Sequence, residues 1–258
     1  MQKAIKAWLA SGFLLASFSA QAQAISIINP SFEDNLAPNG GFPVLNPNGW
    51  SRYDPAGIIN QGANAVGVLN PTGTTFYVDP TPHGNNVALV YLEQRRGTNL
   101  TGDSAGFFQT LTGNSLTLNT RYTLNVAVGN IASGIGLGAF APFGFANLSG
   151  FPGYRVELLA GGEVVASDNN SLVIGDGRFA TSSVVLDVRQ SHDLAGQTLG
   201  IRLINLNLAT GNPFERAREV NFDNASLVAA PIPELPPSAL YLAGLALIGS
   251  IALRRGRG

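Results

Sequence analysis

The chain carries two imidazoles, His83 in Asp79-Pro80-Thr81-Pro82-His83-Gly84 and His192 in Ser191-His192-Asp193. Each has a carboxylate close in sequence, the pairing of a hydrolytic base with its orienting acid. A triad also needs a nucleophile placed by the fold, and no Gly-x-Ser-x-Gly elbow accompanies either histidine. Their neighbours favour solvated loop positions. The absence of Cys removes thiolate nucleophiles, thiolate metal sites and disulfides. There is no His-Glu-x-x-His pair and no phosphate-cradling loop, and Gly134-Ile135-Gly136-Leu137-Gly138 lacks the strand and helix of a dinucleotide site. Two carboxylates about 5 to 10 Å apart can hydrolyse a glycoside. Fifteen acids over residues 25–230 make such a pair inevitable and single out none. The sequence therefore predicts a protein that is not an enzyme, with a polysaccharide-active hydrolase or lyase as the alternative.

A binding surface asks for less. Trp50 and Tyr53, with Phe76, Tyr77 and Tyr91, offer flat apolar faces suited to sugar rings. Arg52, Arg95, Arg96, Asn85 and Asn86 bring donors for hydroxyls or acidic sugars. Competing readings are a core position for Trp50 and a solvated hairpin tip for Arg95-Arg96.

The elements that must position these residues are strands. Tyr122, Leu124, Val126 and Val128 alternate with Thr123, Asn125, Ala127 and Gly129, as Tyr154, Val156 and Leu158 do with Arg155, Glu157 and Leu159. Further runs lie near 25–28, 86–92, 105–112, 163–167, 181–188, 199–204 and 220–228, separated by turns such as Thr112-Gly113-Asn114 and Ala160-Gly161-Gly162. Around ten strands without a long amphipathic helix predict one all-β domain, an antiparallel sandwich, over 25–230. Two stretches read as irregular: Asp34 to Pro82, and the Gly- and Phe-rich Gly129 to Gly153, which either covers a sandwich edge or forms a binding lip. Over 25–230 there are 10 Arg against 15 acids, which argues against nucleic acid as a partner.

Both ends read as addresses. Residues 1–24 combine Lys3 and Lys6 with an apolar run and Ala22-Gln23-Ala24, the pattern of a signal peptide cut by signal peptidase after Ala24 or, alternatively, Ala22. Residues 231–237, Pro231-Ile232-Pro233-Glu234-Leu235-Pro236-Pro237, form an extended tether because proline removes an amide donor and clashes with a preceding turn. Residues 238–253 are uncharged, about 24 Å long as a helix, and precede the basic tail 254–258 with Arg254, Arg255 and Arg257. This predicts a C-terminal transmembrane helix flanking the domain opposite the N-terminal signal helix.

Pro233-Glu234, the apolar run and the arginine cluster resemble the PEP-CTERM sorting signal, although Leu235 replaces the motif's final Pro. The resemblance implies an exosortase as partner, contact with the inner membrane during sorting, and a final place at the cell surface or in an extracellular polysaccharide matrix. A plain C-terminal anchor competes with it. The opening Asn29-Pro30-Ser31-Phe32-Glu33, Gly49-Trp50, and the closing Asn221-Phe222-Asp223-Asn224-Ala225 are similar to galactose-binding-like jelly rolls, which include carbohydrate-binding modules. That resemblance implies a jelly-roll topology, extracellular polysaccharide as ligand, and a structural calcium held by Glu33 and Asp223. Two carboxylates plus carbonyls suit an ion that takes six to eight oxygens. The competing reading gives Glu33 to turn amides and Asp223 to a bulge.

Overall fold

The computed structural model describes residues 21–34, 37–43, 45–59, 61–93, 103–136, 141–142, 144–208 and 217–232. Arg95, Arg96, Pro233, Glu234, the apolar run 238–253 and Arg254, Arg255 and Arg257 lie outside the described residues, as do residues 1–20. Among the described residues no helix is long and apolar enough to cross a membrane.

Thirteen strands are described: β1 (Gln23–Ile25), β2 (Ser51–Tyr53), β3 (Ala65–Leu69), β4 (Val87–Glu93), β5 (Ala105–Ser115), β6 (Thr120–Asn130), β7 (Gly134–Ile135), β8 (Phe145–Ala146), β9 (Tyr154–Ala160), β10 (Glu163–Asn169), β11 (Arg178–Val188), β12 (Thr198–Asn205) and β13 (Ala217–Pro231). All pairings are antiparallel. One sheet runs β11-β6-β13-β4-β3 with β1 added on β13; the other runs β10-β9-β12-β5-β2; β7 and β8 form a separate hairpin. The all-β, antiparallel expectation holds. The stretch 34–82, expected to be irregular, contains β2 and β3, and 129–153 contains β7 and β8. β2, β7 and β8 have too few residues to display an alternation, and β3, Ala65-Val66-Gly67-Val68-Leu69, is buried from Val66 onward and has none to display. The expected cut after Ala24 falls inside β1, whose Gln23 pairs with Ala229 and Ile25 with Leu227.

The two large sheets face each other across a shared core. Val66, Val68, Val90, Val128, Val220 and Phe222 from the first sheet meet Phe107, Val156, Leu158, Ile201 and Leu203 from the second. Burying this apolar surface is the main favourable term of the fold. Because successive side chains alternate, the same strands of the first sheet direct Leu69, Val87, Leu89, Tyr91, Gly129, Glu219 and Asn221 to its other face. That face is covered too. Leu69, Phe76, Val87, Leu89, Ile131 and Leu148 form a second apolar cluster, with Phe42, Tyr77, Tyr91 and Phe179 packed against it. The cover is tied down by backbone bonds: Ala132 N–H donates to Phe76 O (3.0 Å) and Val78 N–H to Gly177 O (2.9 Å). Ile135 N–H donates to Thr75 Oγ1 (2.8 Å).

Candidate active site

Strand β13 sits between β6 and β4 in the first sheet and brings Glu219 opposite Tyr91, and Asn221 opposite Leu89 on one side and Gly129 on the other. Glu219 is only 2% exposed and Asn221 not at all. None of the ion pairs among the described residues includes Glu219. Its Oε1 accepts a hydrogen bond from Asn221 Nδ2 (2.9 Å). Burial in apolar surroundings disfavours the charged form and lifts its pKa from 4.5 to about 7, with the Asn221 bond acting in the opposite sense.

Two phenols share this space. Tyr77 donates its hydroxyl to Asn221 Oδ1 (2.5 Å) and stacks on Phe179 with ring centroids 4.4 Å apart. The pair fits because residue 129 has no side chain: a Cβ there would come within 2.5 Å of Phe179 Cε1 and 2.7 Å of the Tyr77 hydroxyl. Tyr91 is raised to about 12 by burial first and then by the charges of Glu93 and Glu219. Its hydroxyl has no hydrogen-bond partner among the described residues. An acid whose two protonation states are nearly balanced at neutral pH, set among apolar and aromatic walls with a free phenol beside it, can give a proton to a bound organic molecule and take one back.

Apart from Phe76, Tyr77 and Tyr91, the described residues singled out from sequence fall elsewhere. Glu33 and Asp223 meet on one turn: Glu33 Oε1 accepts from the N–H groups of Asn85 (2.9 Å) and Asn86 (2.6 Å). Asp223 accepts from those of His83 (2.8 Å) and Asn224 (2.6 Å). Asp223 is pushed up to about 7, chiefly by burial, and the nearby Glu33 charge adds to the rise. Among the described residues no group of three acids or histidines could hold a metal ion. Trp50 is 3% exposed, stacks on Phe32 (5.2 Å) and donates its indole N–H to Asn29 O (3.0 Å). Its ring is part of the core, with no face open to a sugar. Tyr53 lies on the second sheet, 4.4 Å beneath the guanidinium of Arg202, which is held in turn by the buried Glu157. Of the histidines, His83 is exposed and His192 Nδ1 accepts from Leu194 N–H in a turn (3.1 Å).

Sequence reasoning named Tyr77 and Tyr91 as ring platforms and missed Glu219 as their partner. The available signal was the uninterrupted apolar run Val87 to Leu92, which marks a strand covered on both faces.

The model of the HpiC1-like family, described as HpiC1 cyclase, matches residues 23–228. Similar solved structures include an apo cyclase from Fischerella sp., 37% identical, covering 83% of this chain and 98% of that one at a TM-score of 0.68. The Stig cyclase Fisc from Fischerella sp. TAU, in complex with (3Z)-3-(1-methyl-2-pyrrolidinylidene)-3H-indole, is 39% identical over 83% of this chain and all of its own, TM-score 0.68. A cyclase from Fischerella sp. TAU in complex with 4-(1H-indol-3-yl)butan-2-one is 38% identical over 82% and 100%, TM-score 0.68. No curated protein matches the chain.

These findings overturn the PEP-CTERM identity, since what matches over 206 residues is a cyclase. The reading as a non-enzymatic matrix protein falls with it, because the relatives are enzymes and two carry indole ligands. So do the exosortase and polysaccharide partners. The inner-membrane and cell-surface placement rested on the same tail resemblance and is withdrawn with it.

Proposed function

We propose, from the premise that the chain belongs to the HpiC1-like cyclase family, that it catalyses a proton-initiated ring closure on an indole-bearing substrate, with Glu219 as the proton donor. The observation that carries this is the buried Glu219, in no ion pair among the described residues and with its pKa lifted to about 7, beside the rings of Tyr77 and Tyr91. In such a closure the acid protonates the substrate, a carbon–carbon π bond within the same molecule attacks the resulting cationic centre, and a proton lost afterwards restores neutrality. The product is an isomer of the substrate. Apolar walls favour this chemistry by excluding water that would trap the cation. The indole ligands of the relatives support the substrate class. The test is incubation of the purified chain with an indole carrying an unsaturated side chain, followed by chromatography and mass spectrometry. A new peak of unchanged mass, absent with heat-denatured protein, is expected. No isomer with any such indole would refute the reading.

We further propose that 25–230 is the catalytic unit and that its sheets are wound as a galactose-binding-like jelly roll. The passage of consecutive strands from sheet to sheet, β4 to β5 to β6 and β11 to β12 to β13, supports that topology. A structural calcium at Glu33 and Asp223 is also proposed. Two carboxylates close enough for one to raise the other's pKa are a donor pair that a cation would relieve. Such an ion would clamp the 83–86 turn to β13. Chelation should lower the thermal midpoint of the wild type and leave that of Glu33→Gln unchanged; an unmoved wild-type midpoint removes the ion.

A further inference from the structure

We propose that Asn221 is a positioning residue that confines the acidic proton of Glu219 to its Oε2 atom. The inference rests on the reading of Glu219 as the proton donor and adds which oxygen delivers. It follows from a chain of obligatory bonds that starts at a backbone carbonyl. Ala88 O is an acceptor only, and it lies 3.0 Å from Asn221 Nδ2. The amide of Asn221 therefore cannot be turned the other way round without setting two acceptors against each other.

Its second N–H points at Glu219 Oε1, 2.9 Å away. That oxygen must accept, and because the carbonyl oxygen of a neutral acid is a much stronger acceptor than its hydroxyl oxygen, the favoured arrangement puts the hydroxyl on Oε2. On the other side of the amide, Oδ1 can only accept, so Tyr77 must donate to it. The Tyr77 hydroxyl is thereby spent and offers a ligand only lone pairs. Asn221 is fully buried and makes all three of these bonds, which leaves it no alternative orientation. Among the described residues, the titratable groups facing Glu219 are Tyr77 and Tyr91, and Glu93 also acts on Tyr91. Of the two phenols, Tyr91 alone keeps a donor for the substrate.

The consequence is a single direction of proton delivery, which a cyclase needs if one ring closure is to dominate over others open to the same cation. The test reads the acid itself in the ligand-free full chain, by infrared spectroscopy with carboxyl-labelled Glu across pH, for the wild type, Asn221→Leu and Tyr77→Phe. Loss of the Asn221 donor should move the C=O stretch of protonated Glu219 to higher wavenumber. It should also move its titration upward by about one to two pH units. Tyr77→Phe keeps the stack on Phe179 and should leave the stretch in place. With substrate, Asn221→Leu should broaden the product mixture, and its rate profile should follow the shifted titration. An unmoved stretch in Asn221→Leu overturns the proposal. Should that variant not fold, neutron diffraction of wild-type crystals exchanged into heavy water below pH 6 decides: deuterium on Oε2 upholds it and deuterium on Oε1 refutes it. A shift as described in a chain that closes no ring would instead refute the cyclase reading and leave the proton's position standing.

Discussion

Replacing Glu219 by Gln should remove activity and, above neutral pH, make the protein more stable. The side chain keeps its shape and still presents an oxygen to Asn221, so what changes is the ability to ionise. With a pKa of about 7 folded against 4.5 unfolded, Glu219 holds its proton more tightly in the native state. Below pH 4.5 both states are protonated and the group is neutral in its effect. Between 4.5 and 7 the unfolded chain releases the proton first, and native stability falls as pH rises. Above 7 the whole penalty is present, about 2.5 units or roughly 3 kcal/mol. Gln carries no such penalty. The stability difference between variant and wild type should grow from near its pH 4 value to about 3 kcal/mol greater at pH 8. Urea unfolding at pH 4, 6 and 8 on both proteins measures it, and Asp223, which titrates in both, cancels in the difference. Turnover of an indole substrate should fall by about 10²- to 10⁴-fold, the usual contribution of a general acid. A variant-to-wild-type difference that does not change with pH would show that Glu219 is not held neutral. Retained turnover would show that it is not the donor.

Tyr91→Phe should cost about 2- to 10-fold in kcat, the worth of one neutral hydrogen bond to substrate, with an unchanged thermal midpoint; steady-state kinetics and calorimetry check both. Gly129→Ala drives a methyl into Phe179 and the Tyr77 hydroxyl. It should lower stability by about 1–3 kcal/mol and turnover with it, read by denaturant titration and kinetics. Trp50→Ala should lower stability by about 3–5 kcal/mol through a core cavity, while ligand affinity of the folded fraction, measured by calorimetry at low temperature, stays as in the wild type.

The strands with long alternating runs were legible because their inward parity is apolar and their outward parity is not. Leu124, Val126 and Val128 point to the core, and Thr123 and Asn125 do not. The same rule hid the site. In β13 the inward residues are Val220 and Phe222, so Glu219 and Asn221 fall on the parity that normally faces water. What turns that face into an interior is tertiary. Phe76 and Tyr77 arrive from the segment between β3 and β4, and Leu148 from beyond β8, more than seventy residues from Glu219 along the chain. No local pattern encodes such cover, except in the strand that lies beneath it. Val87, Leu89 and Tyr91 are as apolar as Ala88, Val90 and Leu92 between them, and a strand with no polar side has no side for solvent. A carboxylate paired across the sheet from such a strand is buried by implication, and a buried carboxylate without a cation is an acid. The terminal motifs misled for the opposite reason: Pro233-Glu234 is a two-residue match outside the described residues, whereas the cyclase family model matches 206 residues, 23–228.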